Sequence, residues 1–217
     1  MPICARVRIS CLVSIAILVV LIFCHLRPSP VQAAGEHGTL IRVADIYLSP
    51  DKNSQKLAEI ERGRELVVIE NSSGGWAHVE AFLGEEKTVS GWILDKGFVR
   101  STNPDGDKIV FGEAADSEDE ASRRHGRRGA DQDALRLYYR VYDLFPNSPI
   151  AGEALYRAAD IRWQIERSDV MSRPSAKERD PMLREGMNEE WMHEVMKKFP
   201  GTKWADLAAF HLIENKL

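Results

Sequence analysis

Cysteine is confined to one end of this chain: Cys4, Cys11 and Cys24 are its three cysteines. The body that follows therefore has no disulfide, no thiolate metal ligand and no cysteine nucleophile. It also lacks a Gly-x-x-x-x-Gly-Lys phosphate loop and a Gly-x-Ser-x-Gly nucleophile elbow. The stretch His193-Glu194-Val195-Met196-Lys197 starts like a zinc-protease motif, but Lys197 stands where a second histidine must bind the metal. Basic charge is not in excess either, with 29 Lys and Arg against 33 Asp and Glu for a net of −4, which disfavours a general nucleic-acid role. No catalytic residue, metal or cofactor is assigned from the sequence.

Only one long apolar run is present, the uncharged segment Cys11–Cys24. Arg6 and Arg8 precede it, and Val31 and Ala33 supply small residues at cleavage spacing. The run is shorter than the roughly 17–25 residues of a membrane span, so residues 1–33 read as a secretory signal peptide cut after Ala33. The alternative is an uncleaved anchor, the one route by which this sequence would hold a membrane. Phe23 before Cys24 departs from the small residue of a lipoprotein signal. Cleavage removes Arg6, Arg8 and Arg27 and no acid, leaving 26 basic side chains against 33 acidic, a net of −7. The expected location is periplasmic or secreted.

From residue 39 to 101 the sequence is written in strands. The runs "TLIRVA", "LAEIE", "ELVVIE", "WAHVEAF", "VSGWIL" and "GFVR" are separated by turn-rich pieces, the spacing of a small antiparallel barrel. Leu66 and Val68 alternate with Glu65, Val67 and Ile69, which assigns one face to the core. Two Gly-Trp pairs, Gly75-Trp76 and Gly91-Trp92, suggest a glycine leaving a tight turn followed by a large apolar ring for a small core. The ordered series, with its Ser-Pro turn, Gly63 turn, Gly-Trp-x-x-Val and closing Gly-Trp-Ile, resembles a bacterial SH3 (SH3b) domain. The stretch "AFLGEEKTV" is longer than a tight hairpin and reads as a hairpin extension. The resemblance implies a non-catalytic binding module, often directed at cell-wall peptides or another protein. Tyr47, Trp76, Phe82 and Trp92 are its candidate ligand-binding aromatics. Trp76 and Trp92 are expected chiefly in core packing, and Tyr47 as an exposed contact.

Residues 102–130 carry the acidic "DSEDE" and the basic "RRHGRR", with only "IVF" able to bury apolar surface. This composition predicts a charged, flexible linker. The basic block suits an anionic polymer or lipid headgroup, or simply a solvated run offset by its acidic neighbours.

Residues 131–217 change period. Ala134, Leu137, Tyr138, Val141, Tyr142 and Phe145 share one helical stripe, as do Ala151, Ala154, Leu155, Ala158, Ile161 and Ile165. Pro146 ends the first helix, Ser148 is placed to cap the second, and Pro149 suits its first turn. "FPNSPIAGEALY" then returns as "FPGTKWADLAAF". This half resembles a tetratricopeptide-type repeat of the outer-membrane style, with "RSDVMSRPSAKERDPMLREGM" as an added loop or broken helix. Roughly two helical pairs are fewer than the three or so that repeat arrays generally need, so the apolar stripe is to be completed by a partner, a second copy or the barrel, unless four helices suffice.

The whole reads as a multidomain β plus α chain, a small SH3-like barrel followed by an all-α tetratricopeptide-like part. Its expected role is a non-catalytic envelope adaptor, the barrel taking a cell-wall peptide or envelope protein and the helices a protein partner. The alternatives are a targeting subunit for a separate wall hydrolase and a scaffold with no wall ligand.

Overall fold

The computed structural model describes residues 35–84, 87–172 and 187–214. The expected signal segment lies outside them, and so does most of the expected loop after residue 171. Seven strands come first: β1 (Glu36–Leu40), β2 (Ala44–Tyr47), β3 (Lys56–Ile60), β4 (Glu65–Ser72), β5 (Trp76–Phe82), β6 (Thr88–Leu94) and β7 (Phe98–Arg100). They form one antiparallel sheet in the order β3-β2-β6-β5-β4-β1-β7. One apolar cluster takes Leu40, Ile46, Ile60, Leu66, Val79, Ile93 and Phe98, one or more from every strand and from both edges. Edge strands can share a core only if the sheet wraps around it. Leu66 and Val68 point inward while Ile69 is exposed, as their alternation requires, and a register shift follows Val68.

The two Gly-Trp glycines serve different ends. Gly75 has φ +75° in the β4–β5 turn, a conformation that disfavours any side chain. Gly91 lies inside β6, and a Cβ there would sit 2.6 Å from the Tyr47 carbonyl oxygen. It permits a close backbone approach, not a turn. The extended stretch between the tryptophan strands is a hairpin extension: β5 and β6 pair as far as Phe82 opposite Thr88, and Leu83 N–H donates to the Lys87 carbonyl at 2.8 Å.

Five helices follow among the described residues: α1 (Gly106–Ser122), α2 (Ala130–Leu144), α3 (Ala151–Met171), α4 (Glu190–Lys198) and α5 (Lys203–Glu214). The first corrects the expectation of a flexible linker at 102–130. Helix α1 buries Gly106, Val110, Ala114 and Ser117 on one stripe, where Val110 and Ala114 join Ala134, Leu137 and Tyr138 of α2 and Ala158 of α3 in a second core. Several of its charges are partnered: Glu113 with Arg62 at 2.7 Å, Glu118 with Arg157 at 2.9 Å and Asp119 with Arg123 at 2.5 Å. Of the basic block, Arg123, just past the end of α1, pairs with acids of that helix, and Arg127 reaches Asp133 at 2.5 Å.

Most of the expected stripes of α2 and α3 are buried, while Tyr142, Phe145 and Ile165 are half-buried. Both Phe-Pro turns close alike, with Phe145 N–H donating to the Val141 carbonyl and Phe199 N–H to the Val195 carbonyl. Each phenylalanine also lies where an earlier helix has a glycine, Phe145 over Gly106 and Phe199 over Gly152. The internal repeat is therefore a repeat of packing as well as of sequence. Ser148 serves two helices: its Oγ accepts the N–H of Ile150, the residue before α3, at 3.3 Å, and its hydroxyl donates to Asp107 of α1 at 2.5 Å.

Sheet and helices are packed on each other. Val99 of β7 belongs to the helical core, with Ile41 against it. The turn before β4 presses on α2 so closely that a Cβ at Gly63 would lie 2.5 Å from the Arg136 Cβ. Arg136 Nε donates to the Arg62 carbonyl at 2.9 Å and Arg140 Nε to the Gly63 carbonyl at 3.2 Å. Gly35–Leu217 is a compact unit in its own right.

Candidate functional site

Alternation along β2, β5 and β6 decides where the aromatic residues go. Ile46, Ala77, Val79 and Ile93 point into the sheet's core, so their neighbours Tyr47, Trp76, His78 and Trp92 occupy the opposite face. The three strands are adjacent, and the register sets Tyr47 opposite Trp92 and Trp92 opposite His78. A row of three rings therefore crosses the sheet, with Trp76 two positions before His78 on the same strand.

The rings touch in two ways. His78 and Trp92 are stacked, with centroids 4.9 Å apart and planes 20° from parallel. Tyr47 meets Trp76 edge-on at 5.7 Å and 86°. Both arrangements are favoured by the aromatic quadrupole and hold the rings in place. Polar groups rim this ledge. The Tyr47 hydroxyl donates to Asp45 at 3.3 Å, Asp45 pairs with Lys56 at 2.6 Å, and Ser90 lies 3.2 Å from His78 Nε2. The carboxylates of Asp45 and Glu59 hold the Lys56 ammonium above its ordinary pKa. A flat aromatic surface with donors and acceptors at its border is suited to stacking against an apolar or amide face while bonding polar groups beside it.

The expected candidates are thus partly assembled. Tyr47, Trp76 and Trp92 form one group, but neither tryptophan belongs to the sheet's central cluster. Trp76 is buried, 9% exposed, as its expected packing role requires, whereas Trp92 and Tyr47 are half-buried. Phe82 stands apart. It is six positions along β5 from Trp76, about 20 Å at strand rise, and lines a separate cleft beside α2 and α4. His78 was missed, although its spacing of two from Trp76 put it on the same strand face.

The helical side carries, among its phenols, buried Tyr138 and half-buried Tyr142. Tyr138 donates to Glu118 at 2.7 Å and receives a bond from Arg157 at 3.2 Å; burial, aided by Glu118, pushes its pKa well up. Tyr142 donates to Glu194 at 2.7 Å, and burial together with that carboxylate pushes its pKa up to about 12. Glu194, the acid of the incomplete zinc-like motif, is therefore tied to a neighbouring helix. Among the described residues no three His, Cys, Asp or Glu side chains are grouped to hold a metal ion, and no helix is long and apolar enough to cross a membrane. No family model, curated protein or solved structure matches the chain.

Proposed function

We propose that this protein is a non-catalytic adaptor of the bacterial cell envelope, exported by a signal peptide at residues 1–33. In this reading the wrapped sheet is an SH3b-like module, the helices are tetratricopeptide-like, and the aromatic ledge takes a cell-envelope ligand such as a peptidoglycan stem peptide. The observation that carries it is the row Tyr47, Trp92 and His78 on the outer face of three adjacent strands, with Trp76 braced against Tyr47. Aromatic surface placed outside the sheet's own core is free to meet a ligand, and its polar rim suits amides and carboxylates.

The test is retention of residues 34–217 on purified peptidoglycan sacculi at physiological salt. Retention that falls at least about tenfold in Trp92→Ala and Tyr47→Ala, with unchanged thermal melting, supports the reading. Absence of retention in the wild type rejects direct wall binding. The close seam between sheet and helices favours a second reading, a scaffold in which the sheet's main contact is its own helical half. Wild-type protein that binds no sacculi yet captures an envelope protein through the helices would favour it.

A further inference from the structure

A second concave site lies where the end of β5 with Gly84 and the turn before β4 approach α2 and α4. It is a cleft of about 350 Å³ whose walls include Arg64, Arg136, Arg140, Phe82, Tyr139 and Trp191. We propose that this cleft binds an acidic peptide segment, pairing alternate carboxylates with its arginines and admitting one aromatic or large aliphatic side chain.

The sign of the charge comes from which groups face the opening. Three arginines line it, and among the described residues no carboxylate does. The acids that hold these guanidiniums stand outside the lining: Glu61 on Arg64 at 2.9 Å, Asp133 on Arg136 at 2.5 Å, and Glu65 on Arg140 at 3.2 Å, with Asp143 also on Arg140. The Nε atoms of Arg136 and Arg140 are further fixed by the carbonyls of Arg62 and Gly63. A guanidinium has five N–H donors. Among the described residues, the bonds of Arg64 use Nε and Nη2, and those of Arg140 use Nε and Nη1. Donors therefore remain on side chains that are already oriented, and a carboxylate can take them in charge-assisted bonds.

The aromatic part adds to the same preference. Trp191 stacks on Tyr139 at 4.6 Å and 18°, and the Arg162 guanidinium lies 4.5 Å from the Trp191 ring centre. With its faces engaged in these contacts, the indole offers its positive edge to an incoming group. Phe82 at the end of β5 is 37% exposed and supplies apolar surface at the mouth.

Spacing and size favour a peptide. Arg136 and Arg140 are four apart on α2, hence about 5–6 Å apart along one helix face. Alternate side chains of an extended peptide are spaced about 6.6 Å, close enough for two carboxylates to meet the two arginines. The cleft volume lies at the low end of the roughly 300–1,000 Å³ of small-molecule sites. It suits one inserted side chain with its neighbours outside.

The probe is a fluorescein-labelled peptide of sequence Trp-Ser-Glu-Ser-Glu, titrated by anisotropy with residues 34–217. Saturable binding is expected, weakened at least about fivefold when both glutamates are glutamine, in Arg64→Gln and in Phe82→Ala, and weakened by added salt. Tyr47→Ala, on the separate ledge, should leave it unchanged. Arg64 and Phe82 sit at the rim, and each variant is checked by its thermal melt; if Arg64→Gln loses its fold, Phe82→Ala decides. No binding at about 1 mM protein, equal binding of the glutamine peptide, or loss only in Tyr47→Ala overturns the proposal. Failure of sacculus binding leaves these outcomes untouched, so the two sites are tested independently.

Discussion

Gly91 lies inside β6 where the backbone of β2 leaves no room for a methyl group. Gly91→Ala is expected to destabilise by about 1–3 kcal/mol through overpacking against backbone, measured by urea unfolding. Gly75→Ala should cost about 1–2 kcal/mol for a different reason, its left-handed φ of +75° with open space around it. The same dipeptide thus meets two constraints, and only the turn constraint was readable from local sequence. The close approach depends on which strand lies alongside, information that sequence spacing does not carry. Tyr142 yields a pH prediction. Its phenol is raised from 10.0 to about 12 by burial and Glu194, so over that interval the folded chain keeps a proton that the unfolded chain has released. Stability from this group is complete below pH 10 and lost as pH rises through 12. Tyr142→Phe should flatten the fall in urea midpoint between pH 9 and pH 12 relative to the wild type.

Helix α1 shows why an element can be hidden. Its buried stripe is Gly106, Val110, Ala114 and Ser117, mostly small side chains that give a weak amphipathic signal, and its acids suggested solvation although several are cross-linked to other elements. By contrast, α2 and α3 were legible because Leu137, Val141, Leu155 and Ile161 recur at helical spacing with large apolar groups. Val110→Ala should cost about 1–3 kcal/mol if α1 is a core element, whereas a linker residue would tolerate the change within about 0.5 kcal/mol. Thermal and urea unfolding decide between these values. The aromatic ledge was legible in part for a related reason. Strand alternation brings Trp76 and Trp92 to one face but says nothing of length, so Phe82, at the far end of β5, was grouped with rings it does not reach. Ser148 and Asp107 illustrate what local motifs omit: a serine at a helix start can also serve a helix far away in sequence, and its hydroxyl holds the Asp107 carboxyl below the usual range.

At the scale of the whole molecule, the sheet and the helices unfold together or separately depending on the seam between them. Val99 in the helical core, the Gly63 contact and the Arg62–Glu113 pair at 2.7 Å predict one cooperative transition, with tryptophan fluorescence and helical circular dichroism changing at the same urea concentration. A double-mutant cycle of Arg62→Ala and Glu113→Ala should give a coupling of about 1 kcal/mol, since both side chains are partly shielded from water. Two separated transitions would mean that the seam contributes little to stability.

The seam has a further property. Arg136 and Arg140 of α2 reach the carbonyl oxygens of Arg62 and Gly63, and these oxygens are present whatever side chains those positions carry. Beside the side-chain contacts that Val99, Arg62 and Glu65 make with the helices, this part of the joint recognises the path of the chain. A different sheet that kept this turn and its glycine together with Arg62, Glu65 and Val99 would offer the helices the same handholds, so the strand half is open to replacement as an interchangeable head, with its outer aromatic face redesigned while the mounting stays as it is.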